Sequence, residues 1–322
     1  MRIQLLVISL LVSLLAQPSL AGWGCRPASV EPGNTATGCV KIDGVKRHYR
    51  LHVPTGYHGA QVLPLFIGLH GGGGKAKRFE RYSRFSDVSE RTGKFMVVYP
   101  EGINKHWNDG RPKVNADVDD IAFLQHLVMH LQQQLALAID VDRIFLVGMS
   151  NGGLMALRLA CEQPDWVAGA GIVAASMSTQ IAQTCPEKPV PVAMVFVFGD
   201  QDSSFLSTRL QVNPLKPTQV RGQHIGIRPT VERWAAINHC GAAERSAPLD
   251  AIKNDRTKVV VERFVACQKP VVFYHIQGGG HRWPDPNAKN GFVLRKALNL
   301  GSASHEIHTA EAMWGIFQHV QR

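Results

Sequence analysis

The chain has 322 residues, 45% of them hydrophobic and 19% charged, with a formal net charge of +10. That balance excludes a disordered or fibrous polymer, and the length suffices to bury a large core without staples. The basic residues are scattered, among them Lys75, Lys77, Arg78, Arg81 and Arg84, so the charge reads as a solvated surface and not as a nucleic-acid interface.

Met1 and Arg2 lead into an almost wholly apolar run over residues 5–15, followed by Pro18, Ser19, Leu20 and Ala21. The run is short for a membrane span, and small residues occupy positions −3 and −1. These features predict a secretory leader over residues 1–21, cleaved near Ala21. One domain of residues 22–322 remains, secreted or periplasmic, with no membrane insertion after cleavage. Cys25, Cys39, Cys161, Cys185, Cys240 and Cys267 form an even set, which predicts disulfides in an exported chain. Pairing each cysteine with its neighbour in sequence closes the shortest loops, although six cysteines permit other connectivities. The absence of C-x-x-C argues against zinc, and no metal or cofactor is expected.

Residues 40–53 alternate around Asp43-Gly44, a hairpin signal. Residues 63–69 form an apolar strand, L-P-L-F-I-G-L, that runs into His70-Gly71-Gly72-Gly73-Gly74. Residues 79–91 read as a helix ending at Gly93, and residues 95–99 as a strand closed by Pro100. Residues 119–137 carry Phe123, Leu124, Leu127, Val128 and Leu131 at helical spacing, with Asp117 as the expected cap. An apolar strand over residues 144–147 enters Gly148-Met149-Ser150-Asn151-Gly152, and a helical pattern follows from Leu154. Residues 167–175 and 190–198 are strands, 231–239 a helix, 259–265 and 271–276 paired strands, and 306–320 a closing helix. Strands alternating with helices predict an α/β fold, with a mainly parallel central sheet and helices on both faces. Residues 203–230 and 284–304 are the loops expected to line a cleft.

The pentapeptide around Ser150 fits G-x-S-x-G and lies between a strand and a helix, the context in which a sharp turn exposes a serine hydroxyl. A glycine-rich turn with an ordinary serine would give the same letters, so the rest of the chain decides. An α/β-hydrolase needs an oxyanion hole, an acid and a histidine, with the triad in the order Ser, Asp or Glu, His. The glycine run after residue 70 can bring backbone amides to a developing oxyanion, and the expected donors are near Gly72 and at Asn151. Phe198-Gly199-Asp200-Gln201-Asp202 ends a strand; Asp202 is the expected acid and Asp200 the reserve. His281 follows a strand through Gly278-Gly279-Gly280 and is the expected base. His275 lies within a strand, and His305 and His308 precede or open the last helix.

The chain resembles the esterase family of polyhydroxybutyrate depolymerases and feruloyl esterases. The matches are His70-Gly71-Gly72-Gly73, Val98-Tyr99-Pro100-Glu101-Gly102, Trp107-Asn108-Asp109, Asp119-Asp120, Gly148-Met149-Ser150-Asn151-Gly152-Gly153, Gly199-x-x-Asp202 and Gly278-Gly279-Gly280-His281-x-Trp283-Pro284. The resemblance implies Ser150, Asp202 and His281 as the triad of an exported carboxylic-ester hydrolase, with His70, Trp107 and Trp283 beside the substrate. Two other functions are compatible with the same fold: a non-catalytic cell-surface binding protein and an acyltransferase. The acid motif, G-D-Q-D-S-S-F, lacks the family's valine-proline, which bears on substrate preference. The natural ester and the oligomeric state are not encoded in any motif.

Overall fold

A computed structural model of the chain describes residues 25–186, 190–205, 209–211, 220–287 and 301–322. The expected leader, residues 1–21, lies outside the described residues, as do parts of the two expected cleft loops. Among the described residues ten strands form one sheet. Its order is β1 (Thr35–Ile42), β2 (Val45–His52), β4 (Met96–Pro100), β3 (Leu63–Leu69), β5 (Ile139–Met149), β6 (Gly169–Val173), β7 (Ala193–Gly199), β12 (Val271–Gln277), β11 (Lys258–Phe264) and β10 (Ala243–Arg245). The run from β4 to β12 is parallel, while β1, β2, β11 and β10 pair antiparallel at the two sides. A separate ribbon joins β8 (Arg209–Gln211) to β9 (Val220–Gln223).

Parallel strands covered on both faces read as unbroken apolar runs, because alternate side chains serve two cores. In β3, Leu65, Ile67 and Leu69 enter one core and Phe66 enters the other. In β5 and β7 the same split sends Leu146 and Phe196 to the first core, and Phe145 and Val195 to the second. The first core is closed by α3 (Asp120–Gln133), α4 (Asn151–Glu162), α5 (Thr179–Thr184) and α6 (Ile227–Ile237). The second is closed by α1 (Ala76–Ser83), α2 (Phe85–Thr92) and α7 (Thr309–Phe317). Phe66 sits among Phe85, Phe95 and Phe145, with ring centroids 4.7–5.1 Å apart. Such pairs add about 0.5–1.5 kcal/mol each to the transfer of the rings from water.

Several element ends differ from the sequence reading, each for a local reason. The helix expected over residues 79–91 is two helices, because Arg84 adopts φ 60° between α1 and α2. The Tyr99 hydroxyl then accepts the Ser86 amide at 3.0 Å, which gives an orphan donor at the start of α2 a partner. The cap of α3 is Asp119, whose carboxylate accepts from the Ala122 amide at 2.9 Å, and not Asp117. The helix stops at Gln133, and Ala136 at φ 52° turns the chain towards β5. Strand β7 begins at Ala193, since Pro191 upstream has no N–H to give a ladder. Helix α6 starts at Ile227, four residues before the expected 231, and carries Pro229 in its first turn, where no intrahelical donor is needed. The disulfides are Cys25–Cys39, Cys161–Cys185 and Cys240–Cys267, the pairing of sequence neighbours.

Candidate active site

Ser150 stands at the junction of β5 and α4 with φ 55° and ψ −120°, a conformation that costs a non-glycine residue about 1–3 kcal/mol. Its amide donates to the Val173 carbonyl at the end of β6 at 2.9 Å, which fixes the turn against the neighbouring strand. The two flanking glycines are required by contact. A methyl group on Gly148 would lie 2.3 Å from the Gly152 carbonyl oxygen, and one on Gly152 would lie 2.1 Å from that of Leu69. Both neighbours are backbone and cannot swing away. Gly152→Ala is therefore expected to cost about 3 kcal/mol or more. An unchanged urea midpoint for that variant would show that the turn is not as closed as its geometry states.

Asp202 and His281, the expected acid and base, follow the adjacent strands β7 and β12. The turns after β7 and β12 are stitched together: the Gln201 amide donates to the Gly279 carbonyl at 2.8 Å, and the Asp200 amide to that of Ile276 at 3.1 Å. Asp202 is fully buried, and its Oδ2 accepts from Nδ1 of His281 at 2.8 Å. Its Oδ1 accepts the Ser204 amide at 3.0 Å. With Nδ1 carrying the proton, Nε2 of neutral His281 presents a lone pair. Burial alone would push this imidazole down, but the Asp202 charge and hydrogen bond more than offset it, so its pKa lies above the ordinary 6.5. Asp200 faces elsewhere: its Oδ1 accepts the Gly278 amide at 2.8 Å and its Oδ2 lies 3.7 Å from His275. His308 caps α7, and the His305 ring is bonded to the Pro286 carbonyl.

The glycine loop lies directly against the serine. A methyl on Gly71 would touch the Ser150 Cβ at 3.5 Å, and one on Gly72 the Asn151 Cβ at 3.6 Å. The amides of Gly73 and Gly74 are engaged by the carbonyls of Lys105 and Gly71 at 2.8 and 2.9 Å. The side chain of Asn151 is occupied behind the loop. It accepts from the Trp107 amide at 2.8 Å and donates to Oδ2 of Asp109 at 2.6 Å. Asp109 is held in turn by Arg111, with Nη2 to Oδ2 at 2.6 Å and Nε to Oδ1 at 2.9 Å. The backbone amide of Asn151 is at the first position of α4, where no intrahelical acceptor exists.

His70, Trp107 and Trp283, the residues expected beside a substrate, are buried. Their exposures are 0%, 0% and 6%. Nδ1 of His70 donates to the Gly71 carbonyl at 2.9 Å and Nε2 accepts the Gly102 amide at 3.0 Å. The Trp107 indole N–H donates to the His70 carbonyl at 2.9 Å. Trp283 packs edge-on against Phe79, 5.5 Å between ring centroids, and so ties the His281 loop to α1. All three rings brace the loops around Gly71, Gly102 and His281.

Burial pushes His70 down to about 4, so the folded protein keeps it neutral while the unfolded chain protonates it near 6.5. The unfolded state then binds the extra proton, and stability falls as pH drops from about 6.5 towards 4. The loss from this one residue approaches about 3 kcal/mol. Urea unfolding between pH 7 and 4 should show that slope in the native chain and a shallower one in His70→Gln. Equal slopes would remove His70 from the account.

Sequence reasoning passed over the braces behind the site. Asp120 accepts from Arg47 at 2.5 Å and from the Asn108 amide at 2.7 Å, all buried. The only sequence signals were the acidic pair at the start of α3 and the Trp107-Asn108-Asp109 triplet, neither of which says what it binds.

A family profile described as Esterase PHB depolymerase matches residues 47–184. NocK of Nocardia uniformis subsp. tsuyamanensis, a protein named as an esterase, is 32% identical over 286 residues, covering 84% of this chain and 79% of its own. The chain belongs to the polyhydroxybutyrate depolymerase and feruloyl esterase family. Feruloyl esterase B of Piromyces equi is 25% identical over 260 residues, 77% of this chain but 44% of that longer protein. Acetyl xylan esterase from Aspergillus awamori superposes with a TM-score of 0.54 at 13% identity, covering 82% of this chain and 99% of that one. That likeness is one of fold: an α/β-hydrolase. The esterase described here is accordingly a serine esterase, a carboxylic-ester hydrolase on a single α/β domain.

Proposed function

We propose that Ser150, His281 and Asp202 form the catalytic triad of this esterase, with the amides of Gly72 and Asn151 as its oxyanion hole. The observation that carries the reading is the 2.8 Å bond from His281 Nδ1 to buried Asp202; a serine held in a strained, glycine-flanked turn supports it. Nε2 of His281 takes the Ser150 proton as Oγ attacks the ester carbonyl carbon. The carbonyl oxygen becomes an oxyanion and is met by the two amides. The tetrahedral intermediate collapses, the carbon–oxygen bond to the alcohol breaks, and imidazolium returns the proton to the leaving alkoxide. Water repeats the sequence on the acyl-enzyme and frees the acid and Ser150.

The substrates are small acyl esters, of the hydroxyalkanoate, feruloyl or acetyl kind. The working unit is residues 22–322, exported after loss of residues 1–21. Three disulfides support that compartment, since such bonds persist where the surroundings are oxidising. Hydrolysis of methyl ferulate, hydroxybutyrate oligomers and p-nitrophenyl acetate should be measured side by side, with labelling by a fluorophosphonate. Turnover of at least one ester and labelling that is lost in Ser150→Ala are expected. Labelling that persists in that variant would place the nucleophile elsewhere.

A further inference from the structure

We infer that Phe205 is a positioning residue for His281, seated there by a buried Ser176–His224 pair; the inference rests on His281 being the base. A single hydrogen bond at Nδ1 sets one edge of an imidazole and leaves the plane of the ring free to tilt about that bond. Tilting would misaim Nε2, the atom that takes the serine proton in the proposed reaction. The Phe205 ring lies alongside that of His281, nearly parallel at 22° and with centroids 6.0 Å apart, where it limits the tilt of the imidazole. The same turn supplies both contacts, because the Phe205 amide donates to the carbonyl of Asp202 at 2.9 Å. Asp202 thus bonds the edge of the imidazole, and the residue three positions on packs parallel beside it.

Phe205 is in turn fixed from behind. Its ring meets His224 edge to face at 5.0 Å and Phe198 at 5.8 Å. His224 is 2% exposed, and its Nδ1 accepts from the Ser176 hydroxyl at 2.7 Å and from the Gly226 amide at 3.1 Å. Two donors on Nδ1 place the proton on Nε2 and fix the orientation of this second imidazole. Ser176 is fully buried just past β6, and Ile225 is tied to the same stretch by its amide on the Met177 carbonyl at 3.0 Å. The contacts therefore run from the end of β6, through His224 and Phe205, to the imidazole of His281. A buried polar pair with no part in the chemistry finds its use here.

The test compares Phe205→Leu, Phe205→Tyr, Ser176→Ala and the Phe205→Leu/Ser176→Ala double variant on p-nitrophenyl acetate. Phe205→Leu should lower kcat about 10- to 100-fold with KM changed less than about 2-fold, the mark of a misaimed group and not of lost binding. Phe205→Tyr, which keeps the ring, should stay within about 3-fold of the native chain. Ser176→Ala should lower kcat in the same direction by less, and the double variant should be no slower than Phe205→Leu alone. The low-field proton resonance of His281 Nδ1–H should broaden in Phe205→Leu and return in Phe205→Tyr. Native kcat in Phe205→Leu or in Ser176→Ala, or multiplying losses in the double variant, overturns the inference. His281→Ala separates this from the triad: if it is inactive while Phe205→Leu is normal, only the positioning role fails; if it is active, the triad fails first.

Discussion

Ser150→Ala is expected to lower kcat on p-nitrophenyl butyrate by about a million-fold, the scale seen when the nucleophile of a serine hydrolase is removed. The size of the loss follows from what remains. Without Oγ no acyl-enzyme forms, so His281 and Asp202 have no proton to move, and only the loop amides and binding can act on the ester. Folding should hardly notice. The Ser150 amide, which carries the bond to Val173 at 2.9 Å, is untouched, and alanine inherits the same φ of 55°. Ser150→Gly makes the complementary point. Glycine occupies that region without side-chain strain, so this variant should be equally inactive yet more stable by about 1 kcal/mol. A denaturation series on the three proteins reads both effects. Activity retained in Ser150→Ala would dismiss the nucleophile; a glycine variant no more stable than native would dismiss the stored strain.

The parallel half of this molecule was legible because each of its strands must satisfy two cores at once. L-P-L-F-I-G-L and I-F-L-V admit little else than a doubly covered strand, and β3 and β5 follow. The hairpin of β1 and β2 was equally plain, since Asp43 and Gly44 both take positive φ between them. What escaped was decided by tertiary contact. Nothing in residues 79–91 announces a break, which depends on the Tyr99 hydroxyl waiting at the amide of Ser86. Helix α6 begins four residues before the expected start, with Pro229 in its first turn, where a helix tolerates it. The short strand β10 exists because β11 offers it an edge, not because Ala243, Glu244 and Arg245 favour extension.

The site divides in the same way. Ser150 and its glycines were readable from letters, because the motif is a statement about backbone clearance: Gly152 approaches the Leu69 carbonyl too closely for any side chain. The choice between Asp200 and Asp202 was not, since two carboxylates two residues apart differ only in the direction in which they point. The partners of His70 and Trp107 were not legible either: both rings are bonded to backbone, His70 to Gly71 and Gly102 and Trp107 to the His70 carbonyl. Phe205 had no signal at all, because its partners, His224 and Ser176, lie 19 and 29 residues away along the chain, on either side of it.

Asp202→Asn is expected to lower kcat by about ten-thousand-fold and to move the acid limb of the pH profile downwards. The rate loss comes from the tautomer. A carboxylate can only accept, so it keeps the proton of neutral His281 on Nδ1 at 2.8 Å and leaves Nε2 free to take the serine proton. An asparagine amide can donate to Nδ1 instead, which puts the proton on Nε2 and removes the base. The shift in pH has its own sign. The base works when neutral, so kcat/KM rises with pH and levels above the imidazole pKa. In the native protein burial lowers that pKa, but Asp202 raises it further, and the limb should fall above 6.5. With the charge removed and the burial retained, the residual activity should persist to lower pH than in the native enzyme. Asp200→Asn is the control, because its carboxylate holds the Gly278 amide and not His281; its limb should coincide with the native one. If instead the limb moved in Asp200→Asn and stayed in Asp202→Asn, the two aspartates would exchange roles, and the bond from His281 to Asp202 would be a resting contact outside the reaction.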